Sequence, residues 1–174
     1  MVDNLEATVR KCLNVKKIYK SNKEWKLIFI GEGDALYDMK SYTLNRNLER
    51  VEFLGRMSNV DDYYRKADFI CLTSNFEGWG MTLTEGMSFG SIPVTFDNYG
   101  AASEIIDDGV NGCLIPPFDL NVYSNRLSEL MCNKQVRTGM SRAAKEKVKS
   151  FDVSIVVDKW DELFSRVCKE DKNY

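Results

Sequence analysis

Histidine is absent from the whole 174-residue chain. That removes Ser-His and Cys-His catalysis and every histidine-ligated metal site, leaving carboxylates, helix dipoles and backbone amides to carry any chemistry. Long hydrophobic runs are missing as well. The longest, such as KLIFIG (26–31) and DFICLTS (68–74), are strand-sized, well short of the ~20 residues that cross a bilayer. The opening residues do not read as a signal peptide. No basic tract interleaves with aromatics and the net charge is only −2, so nucleic acid is not an expected partner. The five cysteines, Cys12, Cys71, Cys113, Cys132 and Cys168, are odd in number and show no C-x-x-C spacing. That pattern fits buried thiols in a reducing cytosol better than disulfides or zinc. Internal repeats, linkers and low-complexity blocks are also lacking.

What is present describes a folded domain. Apolar residues make up 44% and charged residues 29% of the chain, a soluble globular balance with length for one ordinary core. Residues 5–20 place Leu5, Val9, Cys12, Leu13 and Tyr19 near one helical face. Buried strands are expected at WKLIFIG (25–31) and DFICLTS (68–74), with further strands at RVEFLG (50–55), IPVTF (92–96) and CLIP (113–116). Helices are expected from Ala35 to Leu44, over SNVDDYYRKA with Ser58 or Asn59 as cap, over MTLTEGMSFG and over AASEIIDD. Three more follow Asp119, the last capped by Asp152 with a stripe of Val156, Trp160, Leu163, Phe164 and Val167. Short β runs alternating with helices imply one α/β domain, residues 1–174, with a Rossmann-like parallel sheet covered on both faces.

The stretch NFEGWGMTLTEG, residues 75–86, sits where a strand feeds a helix, the place where open α/β sheets bind ligands. Gly78 and Gly80 allow close main-chain approach and positive φ. The amides of Trp79, Gly80, Met81, Thr82 and Leu83 then face outward at the positive end of the helix dipole, which suits phosphate. Glu77 at the lip and Glu85 one turn into the helix suit hydroxyl groups of a ribose or a sugar. Plainer readings stand beside these. Thr82 and Glu85 have capping-box spacing, so Glu85 can satisfy helix-end amides, and Glu77 can be a solvated loop residue. The G-x-G of GEGD, with Gly31 and Gly33, lacks the third glycine of the dinucleotide fingerprint.

The string EGWGMTLTEGMSFGSIPV, from Glu77 to Val94, resembles the Glu-x7-Glu motif of the retaining glycosyltransferases of family 4. FDNYGAASEIIDDGVNGCLIPPFD, WKLIFIGEGD and VEFLGRMSNVDDYYRKADFICLTSNFEG are similar to further segments of the same family. The resemblance implies the C-terminal, nucleotide-sugar-binding half of the two-domain GT-B fold. It implies transfer of a hexosyl unit from a nucleotide-diphosphate sugar, UDP being the commonest choice, with retention of configuration and no catalytic metal or other cofactor. Glu77 then meets donor-sugar hydroxyls and Glu85 the ribose, while amides near Gly80, Met81 and Thr82 hold sugar and diphosphate. Arg56 and Met57, after VEFLG, become candidates for the base through main-chain contacts, although Arg56 also reads as a solvated turn residue. Gly31 closes a strand near the same edge. Trp79 reads as a packing residue at the turn, and Glu104 as either a pocket residue or a helix-dipole partner.

The resemblance also implies features that the chain does not display. An acceptor-binding N-terminal domain, and with it any peripheral membrane association at the cytoplasmic face, is expected outside these residues. The family's diphosphate Arg and Lys belong near a strand preceding the first helix, and Arg10 and Lys11 read instead as a solvated helix face. The sheet is expected to lack this central first strand. Either the strands 25–31 and 68–74 pair directly or a gap leaves their edges open. A non-catalytic nucleotide-sugar-binding module and a phosphorylase-like relative share the architecture. The final helix is expected to show its apolar stripe to solvent, and the chain alone to bind nucleotide weakly and transfer nothing.

Overall fold

The computed structural model describes residues 22–170. The helix expected over residues 5–20, with Arg10, Lys11 and Cys12, lies outside the described residues. The described elements run β1 (Leu27–Phe29), α1 (Ala35–Asn45), β2 (Val51–Phe53), α2 (Asp61–Lys66), β3 (Phe69–Leu72), α3 (Met81–Phe89), β4 (Ile92–Phe96), α4 (Ala102–Ile105), β5 (Cys113–Ile115), α5 (Leu120–Cys132), α6 (Lys134–Lys149) and α7 (Val153–Glu170).

The strands pair in parallel as β1–β2 and as β3–β4–β5, with Val94 opposite both Cys71 and Cys113. β4 is the middle strand of the larger sheet, and all five of its residues are buried. A strand covered on both faces reads as a continuous apolar run, as IPVTF does. Ile92, Val94 and Phe96 join Cys113, Ile115 and, from α5, Tyr123, Leu127 and Leu130 in one core cluster. On the other face, Leu83 and Met87 of α3 meet Ile105, Ile106 and Ala144 of α6. Burying each of these large side chains contributes about 1.5–3 kcal/mol.

The buried character expected of β1 and β3 is not found. Ile28 is 41% exposed, and no residue of β1 or β3 is fully buried. The reason is their neighbours. Among the described residues no ladder joins β1 to β3, so the direct pairing is not found and both facing edges are unpaired among these residues. A cavity of about 520 Å³ lies between the strands, lined by Leu27, Phe29, Phe69, Ile70, Tyr123 and Leu127 among others. Cys113 is buried but Cys71, Cys132 and Cys168 are exposed, which corrects the buried-thiol expectation for those three.

Helix ends follow local chemistry. Asp119 caps α5 by accepting from the amides of Asn121 and Val122 at 3.0 and 2.9 Å. Asn133 caps α6 by accepting from Val136. Asn59 accepts from the Asp61 amide at 3.1 Å just before α2, and Asp152 takes the amide and hydroxyl of Ser154 at the start of α7. The helix expected over AASEIIDD stops at Ile105. Buried Asn111 donates to the Ile105 carbonyl and accepts from the Asp107 amide, which turns the chain away from helical continuation. Along α7, Trp160 is 53% and Phe164 57% exposed, as expected for that stripe. Among the described residues no helix is long and apolar enough to cross a membrane.

Candidate functional site

Parallel pairing sets the turns after β1 and β2 side by side at the carboxyl end of one sheet, and those after β3 and β4 side by side at the carboxyl end of the other. After β1, the Gly31 amide donates to the Gly55 carbonyl at 2.8 Å, tying the GEGD turn to the turn after β2. Arg56 and Met57 follow Gly55 and are exposed. After β3, residues 73–80 form the loop that enters α3. Asn98, in the turn after β4, clamps that loop by donating to the carbonyls of Ser74 at 3.2 Å and Asn75 at 2.8 Å.

Gly80 is the N-cap of α3, in the left-handed region at φ 86°. A Cβ there would stand 3.0 Å from the Tyr99 hydroxyl and 3.4 Å from Leu72. Gly78 differs. Its φ is not in the left-handed region and a Cβ would meet nothing within 4 Å, so only one of the two glycines carries the conformational demand read from the sequence. The Leu83 amide turns inward to the Gly80 carbonyl at 2.9 Å, and its side chain is fully buried. Leu83 therefore leaves the set of outward amides. Those of Met81 and Thr82, in the first turn, stand outside the i→i−4 ladder and at the positive end of the dipole.

Glu77 is half-buried in this loop. Its charge acts on Tyr99, whose hydroxyl is pushed above its ordinary pKa by burial first and by Glu77 in addition, with Thr95 opposing. Asn98 Oδ1 is buried and has no hydrogen-bond partner among the described residues. Trp79 packs edge-on against Phe151 with ring centroids 5.2 Å apart, the packing role the sequence favoured. Glu104 lies exposed on the short helix α4.

Glu85 does not complete a capping box. With Gly80 as N-cap, Thr82 is the second helical residue and Glu85 the fifth, beyond reach of the helix-start amides. Instead Tyr64 of α2 donates its hydroxyl to Glu85 Oε2 at 3.0 Å. Burial, then the bond to Glu85, its charge and that of Asp61 push the Tyr64 pKa up to about 12. The Tyr64 ring stacks on Phe89 at 5.9 Å. Tyr64, beside Glu85, and Asn98 and Tyr99, in the turn after β4, are the groups that sequence reasoning missed. Only the small turn DNYG hinted at the last two.

Residues 10–147 match the family described as Glycosyl transferases group 1. The chain belongs to that family. A glycosyltransferase of Methanocaldococcus jannaschii described as uncharacterized is 34% identical over 124 residues, covering 70% of this chain and 35% of that protein. The GalNAc-alpha-(1->4)-GalNAc-alpha-(1->3)-diNAcBac-PP-undecaprenol alpha-1,4-N-acetyl-D-galactosaminyltransferase of Campylobacter jejuni is 27% identical over 145 residues, covering 83% of this chain and 40% of that protein. The chain thus spans well under half the length of these group 1 relatives. Among solved structures, a mutant of S. aureus TarM in complex with fondaparinux, alpha-GlcNAc-glycerol and UDP superposes with a TM-score of 0.83 at 22% identity, over 94% of this chain and 33% of that one. The α/β fold with parallel strands is that of GT-B glycosyltransferase C-terminal domains.

Proposed function

We propose that this group 1 chain is the donor-binding half of a retaining, family 4 glycosyltransferase. It holds a nucleotide-diphosphate sugar for hexosyl transfer to a glycan or lipid-linked acceptor. The observation that carries the reading is the β3-to-α3 junction, where a left-handed Gly80 opens a helix start between two carboxylates. In this reading Glu77 accepts from donor-sugar hydroxyls and Glu85 from the ribose. The amides of Gly80, Met81 and Thr82 stabilise the diphosphate, whose growing charge as the glycosidic bond breaks is the main electrostatic demand of the reaction. Arg56, Met57 and Gly31, at the neighbouring turns, border the base. Gly78 and Trp79 shape the turn, the latter through its packing on Phe151.

UDP is the nucleotide of choice because TarM and a glucose complex of Anabaena HepE (TM-score 0.73, 24% identity) hold it. Oriented amides and cations serve in place of a catalytic metal. An acceptor-binding N-terminal domain completes the enzyme, which works in the cytoplasm and reaches the membrane only through that domain. The described chain alone binds nucleotide and transfers nothing. Calorimetric titration with UDP, GDP and ADP, on the wild type and Glu85→Ala, tests the assignment. UDP affinity that drops in the variant supports the ribose role, and unchanged affinity contradicts it. Sugar turnover by this chain on its own would contradict the half-site reading.

A further inference from the structure

We propose that Tyr64 is a positioning residue that holds the Glu85 carboxylate for the ribose hydroxyls; this rests on the donor-site reading above. Glu85 is exposed on α3, and an exposed glutamate samples many rotamers unless something fixes it. The helix start does not, because Gly80 and not Thr82 is the cap. The fixing group comes from another element, 21 residues away in sequence, as the Tyr64 hydroxyl at 3.0 Å from Oε2.

Two further contacts hold Tyr64 itself. Fully buried Ser91, at the entry to β4, donates to the carbonyls of Tyr64 at 3.1 Å and Ala67 at 3.0 Å, which pins the last turn of α2. The Tyr64 ring stacks nearly parallel, 16° between planes, on Phe89 of α3. The Arg65 guanidinium lies 4.9 Å over the other aromatic of that pair, Phe89. The phenol is therefore delivered to Glu85 from a fixed base.

An ionised carboxylate only accepts hydrogen bonds. Here Oε2 accepts the hydrogen bond donated by the Tyr64 hydroxyl, and among the described residues no side chain donates to Oε1. One oxygen is anchored and the other is presented, which pre-organises the acceptor and lowers the ordering cost of binding. The upward shift of the phenol keeps it a donor at every physiological pH.

The test compares UDP with 2′,3′-dideoxy-UDP by calorimetry on the wild type, Tyr64→Phe, Tyr64→Met and Glu85→Ala. Tyr64→Phe keeps the ring and the Ser91 bonds and deletes one oxygen. Restoring the ordering cost of one free glutamate side chain predicts UDP affinity weakened about fivefold, with dideoxy-UDP affinity unchanged. Tyr64→Met lacks the same oxygen and must show the same pattern, so a folding defect in either variant does not stop the test. If the wild type does not bind UDP, does not distinguish the two nucleotides, or keeps its preference in Glu85→Ala, the ribose reading fails and the role of Tyr64 falls with it. If Glu85→Ala loses the preference but the Tyr64 variants keep it, the ribose reading stands and the positioning role is overturned. Equal weakening of both nucleotides also overturns it, since that marks general damage to the site.

Discussion

Replacing Gly80 by alanine puts the most specific demand of the site under test. Its φ of 86° lies in the left-handed region, where an L side chain costs roughly 1–2 kcal/mol. The new methyl would also stand 3.0 Å from the Tyr99 hydroxyl. Displacing that ring from its rotamer adds about 0.5–1.5 kcal/mol. Alanine restricts the unfolded chain and returns about 0.4–1 kcal/mol. The net loss is about 0.5–3 kcal/mol, which moves a urea midpoint by about 1 M at an ordinary slope. Gly78→Ala is the internal control: it lacks positive φ and any neighbour within 4 Å, so its stability stays within about 0.5 kcal/mol of wild type. Adding Tyr99→Phe to Gly80→Ala separates the two causes, because it removes the close oxygen and leaves the backbone strain. The double variant should recover only the contact part. Urea unfolding followed by circular dichroism reads all four proteins. A Gly80→Ala chain as stable as Gly78→Ala refutes the backbone account of this turn.

Three other outcomes follow from the same contacts. Asp119→Ala removes the oxygen that accepts two amides of α5 and should cost about 1 kcal/mol, measured by thermal or urea unfolding. Phe96→Ala empties a fully buried site between Phe118 and Tyr123 and should cost about 3–5 kcal/mol. Tyr64 supplies a pH dependence. Its folded pKa is raised to about 12 from the ordinary 10.0 by burial, Glu85 and Asp61, so its stabilising contribution is complete below the unfolded value and fades as pH rises through the folded one. Between those two values the wild type should therefore lose more stability than Tyr64→Phe, and equal losses contradict the shift.

The parts of the fold that depend on short-range pattern were legible from the residues. IPVTF announced a strand, Asp119 and Asp152 announced helix starts, and the exposure of Trp160 and Phe164 was expected from the family resemblance and not from their stripe. Burial of β1 and β3 was not legible, because it depends on which strands stand beside them and not on their own apolar content. The end of α4 was misplaced for a similar reason. Asn111 reaches back six residues to the Ile105 carbonyl, and no periodicity encodes that bond. At the site, glycine at position 80 and the pair of glutamates were visible. The capping box was a misreading by register: spacing of Thr82 and Glu85 fitted the motif, but the helix begins one residue before Thr82 with Gly80 as cap. The true partner of Glu85, Tyr64, comes from a different helix, and a tyrosine in DDYYRKA carries no local mark of that contact.

Everything proposed for this chain depends on the start of α3 binding the nucleotide of a sugar donor. Amide-resolved NMR of the isotope-labelled chain titrated with UDP tests that dependence without assuming any activity. The largest shifts should fall at the amides of Gly80, Met81 and Thr82, with smaller ones at Glu85 and near Arg56 and Met57. Saturable binding whose shifts gather elsewhere, for instance around the cavity between β1 and β3, or no response to UDP at all, would contradict it.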